Sequence, residues 1–149
     1  ISFHIASSCD RPKLDNGMFQ VGGNNYSENE MYMNAEDNFK IINKIFGDEV
    51  ELAVENNNYY PTSAYNYVTE PHFIKAIAEN SNLKVLFDIA HAKVTSINKK
   101  ISFDSYRDSL PLERVIQLHI CQHKTTRDLL PKYLFTYRQI QAACTSILE

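Results

Sequence analysis

Residues 83–91 read "LKVLFDIAH", and the reading of this stretch decides the fold. Leu83 to Phe87 is an apolar run with β-branched and aromatic members, the length of one strand. It stops in a carboxylate, Asp88, and an imidazole, His91, follows three residues later. A buried strand that ends in charge needs a reason, and the rest of the chain supplies one.

Working outward, three further runs have the same character: "ISFHI" (1–5), "VELAV" (50–54) and "RVIQLHI" (114–120). Helical patterns lie between them. Asn34 is placed to cap a helix over 35–46 with Phe39, Ile42, Ile45 and Phe46 on one face, ended by Gly47. Thr69 is placed to cap a second, with Pro71 in its first turn and Phe73, Ile74, Ile77 and Ala78 apolar. A short helix is expected over 104–110, stopped before Pro111, and a mostly helical tail over 127–148. "VGGNNYSENE" (21–30) follows no strand directly and opens no clear helix, so it reads as a loop. Strand alternating with helix predicts an α/β fold of parallel βα repeats, either a doubly wound sheet or a (β/α)₈ barrel. The glycine-rich phosphate turn of nucleotide-binding folds is absent.

The totals narrow the function classes. At 149 residues the chain is the size of one domain, and 44% hydrophobic with 22% charged residues is a globular composition. No apolar stretch approaches the ~18 residues that span a bilayer, and no signal peptide is visible. A formal charge of -3 gives no broad attraction to nucleic acid. Three widely spaced cysteines, Cys9, Cys121 and Cys144, fit a reduced, cytoplasmic protein rather than a disulfide scaffold. Because "ISFHIAS" begins in what reads as mid-strand, the chain is expected to be a piece of a longer one.

Each expected strand carries a metal-ligand type at or near its C-terminal end: His4, Glu55, Asp88 and His119. Glu55 and Asp88 are 33 residues apart and Asp88 and His119 are 31 apart, one βα repeat each. Successive parallel strands therefore deliver these side chains to one end of the sheet, where barrel enzymes build their sites. Carboxylates and imidazoles gathered in one pocket call for a compensating cation. A mixed oxygen and nitrogen set suits iron, manganese or zinc, and the lack of cysteine ligands argues against structural zinc. His91, from the turn after Asp88, and His123, past the end of the last strand, extend the set. Each residue also has a plainer reading. His4 could be a satisfied core histidine, Glu55 or Asp88 a cap, and His119 a solvent-facing residue. His72, in the first turn of a helix, reads as surface, and Cys121 as packing.

Three stretches, "VENNNYY" (54–60), "TEPHFIKAIAENSNLKVLFDIAHAKVTSIN" (69–98) and "LPLERVIQLHICQH" (110–123), together resemble the multinuclear non-heme iron-dependent oxidases. That family, long catalogued as a domain of unknown function, includes the methanobactin-biosynthesis oxidase. The resemblance rests on Glu55-Asn56, on Glu70 to Phe73, on Leu86-Phe87-Asp88-Ile89-Ala90-His91 and on His119 to His123, with an early histidine ligand placed at His4. It implies a TIM barrel of the xylose-isomerase type holding two or three irons. It implies metal ligands at His4, Glu55, Asp88, His91, His119 and His123, and dioxygen-dependent modification of cysteine or other residues in a ribosomally made precursor peptide. Such peptides are often delivered by a small partner protein. The chain departs from the pattern in length, since a full barrel runs to about 250 residues and only four strands are legible here. The family's earlier strands are missing before Ile1, and no Asp-x-(His/Glu) strand is visible after His123. Two other functions compete: a zinc or manganese isomerase or phosphodiesterase on the same fold, and a non-catalytic partial-barrel binding or scaffold protein.

Overall fold

The structure, a computed structural model, describes residues 1–120. Four strands form one sheet: β1 (Ser2–His4), β4 (Ala53–Glu55), β5 (Lys84–Asp88) and β6 (Val115–His119). They lie side by side in that order, and every pairing is parallel. The fold is therefore α/β with a parallel sheet, as the alternation of strand and helix predicts.

Parallel neighbours need crossovers, and helices supply them. Helix α1 (Glu28–Phe46) leads from β1 towards β4, α2 (Pro71–Asn80) joins β4 to β5, and α3 (Ile89–Lys99) with α4 (Phe103–Ser109) joins β5 to β6. The two-residue period of a strand divides the sheet's faces. Val54, Val85 and Phe87 pack into one core with Phe73, Ile74, Ile77 and Ala78 of α2 and Phe39 of α1. Ala53, Glu55, Leu86 and Asp88 alternate with them and point to the opposite face. Among the described residues no helix is long and apolar enough to cross a membrane.

Several local expectations change. Helix α1 begins seven residues before the expected start, because Ser27 and Glu30 form a capping box: the Ser27 side chain accepts from the Glu30 N–H, and the Ser27 N–H donates to Glu30. The stretch at 21–30 therefore does open a helix, although its polar first turn hides the apolar period. Met31, Ala35 and Phe39 bury the working face, whereas Ile45 and Phe46, expected on it, are exposed. A 19-residue helix is about 28 Å long, far longer than the three-residue strands β1 and β4. Gly47 ends it at φ 74°, where a glycine is at ease.

Helix α2 is capped by Glu70, not Thr69, because the residue before Pro71 is held extended. Among the described residues the buried Thr69 hydroxyl has no hydrogen-bond partner. Helix α4 spans Phe103–Ser109, one residue earlier than expected, since the Ser102 side chain caps it. An unexpected hairpin, β2 (Lys13–Asp15) and β3 (Met18–Gln20), closes through Asn16 and Gly17, both at positive φ. Asn-Gly between two short apolar stretches is a hairpin signal that the reading passed over. The expected tail helix, His123, Cys121 and Cys144 lie outside the described residues.

Candidate metal centre

Register brings the site together. His4 of β1 pairs with Glu55 of β4, and Asp88 of β5 pairs with His119 of β6. Glu55 stands beside Leu86, so Asp88 rises two residues further along the same face. His119 reaches that level through an irregularity in β6. Val85 pairs with Val115 but Leu86 pairs with Gln117, which leaves Ile116 unpaired. Were Ile116 instead paired with Leu86 in an unbroken ladder, His119 would sit opposite position 89, on the other side of the pleat.

His91 arrives by a different route. Strand β5 runs directly into α3, with Asp88 as its N-cap: Oδ1 accepts from the His91 N–H at 2.8 Å. The plainer reading of Asp88 as a cap therefore holds, and it occupies only one of the two carboxylate oxygens. One carboxylate oxygen starts the helix while the other, Oδ2, faces the cluster. His91 sits in the first turn of a helix rather than in a free turn.

The five side chains converge. Glu55 Oε1 lies 3.4 Å from His4 Nε2, 3.8 Å from His91 Nδ1 and 3.3 Å from His119 Nδ1. Asp88 Oδ2 lies 3.9 Å from His91 Nδ1 and 3.8 Å from His119 Nδ1. Two overlapping triads result, His4–Glu55–His91 and Glu55–Asp88–His119, each with its donor atoms within 4.8 Å of one another. Donors bound to one ion at about 2.0–2.2 Å lie roughly 3–4 Å apart, which the spacing of Glu55 from His4 and from His119 matches.

Burial is graded across the cluster. Glu55 is 6% exposed and Asp88 about as buried, while His119 is 45% and His4 38% exposed. Among the described residues the ion-pair partners of both carboxylates are histidines alone. Two buried carboxylates without a fixed cation are costly, and a divalent ion is the compensation this donor set is suited to hold. Burial pushes the His4 pKa down, against the pull of Glu55 and with the push of His91. A neutral imidazole is the ligating form.

Two residues outside the expected set belong to the surroundings. Ser2 Oγ donates to Glu55 Oε2 at 3.4 Å. Asn56, fully buried, is bonded to the main chain of Asp88 and lies against His91. A buried asparagine following a strand-end glutamate was the signal available for it. His72 stays apart from the cluster, exposed and paired with Glu28 at 2.8 Å, in agreement with its surface reading. Cys9 is buried and free.

Comparison with known proteins adds the biochemical frame. A family model described as RiPP precursor modification enzyme MbnB/TglH/ChrH matches residues 27–135, more than half of the chain. The chain is 31% identical over 77 residues to a UPF0276 protein of Paraburkholderia phytofirmans, which is 52% of this chain and 25% of that protein. It is 32% identical over 83 residues to a UPF0276 protein of Shewanella oneidensis, 55% of this chain and 29% of that one. A UPF0276 protein of Neisseria meningitidis is 29% identical over 73 residues. The matched stretch thus spans less than a third of each relative's length.

Proposed function

Since this chain belongs to the RiPP precursor modification enzyme MbnB/TglH/ChrH family, we propose that it forms the metal-holding part of an iron-dependent oxidase. Its substrate would be a ribosomally made precursor peptide, altered at cysteine or another residue, with a small delivery protein as second partner. The parallel sheet is read as part of a (β/α)₈ barrel, because its donors stand at the C-terminal strand ends that barrel enzymes use.

The observation that carries the reading is Glu55 within 3.3–3.8 Å of three imidazoles from β1, α3 and β6. His4, Glu55, Asp88, His91 and His119 would hold the metal, and His123 is proposed as a sixth ligand at the edge. Two triads sharing Glu55 suit more than one ion. Iron held by these residues would supply one-electron redox chemistry, with dioxygen as oxidant and the peptide side chain as reductant. The chain's own groups divide the remaining work. The buried carboxylates provide charge on the inner side, shielded from water. The half-exposed His4 and His119 rings border the open side, from which a peptide could approach. Partial burial lowers the His4 pKa and so favours the neutral imidazole, the ligating form.

Elemental analysis of protein purified without oxygen tests the reading. The expected result is iron, with an optical change on admitting oxygen. Stoichiometric zinc or manganese without iron would overturn it in favour of the isomerase or phosphodiesterase alternative. Protein that takes up no metal would point to the scaffold alternative.

A further inference from the structure

We propose that Asn56 is a positioning residue that clamps three members of the cluster into a single arrangement and sets which nitrogen of His91 is free to bind. Asn56 directly follows Glu55 at the end of β4 and is fully buried. Its side chain uses both polar ends on the main chain of one residue of the neighbouring strand. Nδ2 donates to the Asp88 carbonyl at 2.9 Å, and Oδ1 accepts from the Asp88 N–H at 2.8 Å. That two-point pairing takes the place of ladder bonds just where β4 ends, and it fixes the main chain from which the Asp88 carboxylate projects. A buried amide bonded at both ends is satisfied, whereas removing it takes one partner from each of two backbone groups of Asp88.

The other face of Asn56 acts on His91. Its carbonyl oxygen lies 2.9 Å from His91 Nδ1. A carbonyl can only accept, so the contact is a hydrogen bond only when Nδ1 carries the proton. The remaining neighbours of Nδ1 agree, because Glu55 Oε1 and Asp88 Oδ2 are also acceptors. The ring is thereby held as the Nδ1–H tautomer with its lone pair on Nε2. An imidazole fixed in this manner by a backbone carbonyl is oriented before the metal arrives. Glu55 by covalent linkage, Asp88 by the paired amide and His91 by the carbonyl are all tied to this one residue.

The clamp rests on the metal-centre reading, and its experiment separates the two. The first arm uses the unsubstituted, metal-free chain with ¹⁵N-labelled histidine at a pH near 8, where nitrogen shifts report the tautomer. The expected result is a His91 ring protonated at Nδ1. A proton on Nε2 would overturn the proposal whether or not the chain binds metal. The second arm titrates cobalt(II) into Asn56→Ala and Tyr106→Phe. Tyr106 donates its own buried bond to the Thr69 carbonyl at 2.9 Å, so its loss is a comparable lesion away from the site. Asn56→Ala is expected to bind about 10–100-fold more weakly with an altered visible spectrum, and Tyr106→Phe to keep the original affinity and spectrum. Equal weakening of both variants, or an unchanged Asn56→Ala spectrum and affinity, would overturn the clamp. Should Asn56→Ala fail to fold, the tautomer measurement stands without it. Failure of the unsubstituted chain to bind cobalt or iron would count against the metal reading alone.

Discussion

Asp88 has two tasks that ordinary substitutions would confuse. Oδ1 caps α3 through the His91 N–H, while Oδ2 faces the histidines. Asparagine can cap a helix nearly as well as aspartate but carries no charge. Asp88→Asn is therefore expected to retain the stability of the metal-free protein and lose metal, whereas Asp88→Ala should lose both, with about 1 kcal/mol from the missing cap. Glu79→Ala, on the exposed face of α2, should change neither. Metal content and urea midpoints of the three variants decide it, and equal loading of all three would reject Asp88 as a ligand. The motif Asp-x-x-His was legible in the residues. The division of labour between its two oxygens was not, because a cap and a ligand look alike until the helix start is located.

Among the elements, β6 carries the most instructive departure from regularity. Deleting a residue inside a strand ordinarily sends every later side chain to the other face. Ile116 is the unpaired residue of the irregularity, half-exposed and outside the ladder. Its deletion leaves Val115 opposite Val85 and Gln117 opposite Leu86, so Asp88 and His119 stay paired. The Ile116 deletion is expected to keep metal loading near the unaltered level, with His119→Ala as the reduced reference. Loading as low as that reference would show that the irregularity does more than absorb one residue. No periodicity in "RVIQLHI" marks this feature. It is visible only against the partner strand. The early start of α1 differs in kind: Ser27 and Glu30 spell its capping box locally, and the apolar pattern that begins at Met31 drew attention away from them.

For the whole molecule, the main consequence is linkage between metal and stability. Glu55 and Asp88 are buried on the face opposite the helical core, and their charge is opposed by histidines alone among the described residues. An ion that binds this arrangement and not the unfolded chain stabilises the fold, by about 2.7 kcal/mol at a hundredfold excess over its dissociation constant. Chelation is expected to lower Tm, and restoring the metal to raise it in a concentration-dependent way. Calorimetry with and without chelator checks this, and an unchanged Tm would mean that the cluster does not hold an ion under those conditions.

The residues alone determined the alternation of strand and helix, the placement of four strands to within three residues, and the ligand types at their ends. These are local properties: hydrophobic period, capping chemistry and spacing by one βα repeat all act within a few turns of chain. The resemblance carried by Glu55-Asn56, by Asp88 to His91 and by His119 to His123 extended them to a family that the model match over residues 27–135 bears out. Only the tertiary structure decided that His4 and Asp88 stand at different levels around Glu55, that Ile116 drops out of register and that Asn56 holds the next strand by its main chain. Each depends on pairing between residues 30 or more positions apart, and a register shift of one residue would have left the composition unchanged while turning a ligand out of the site.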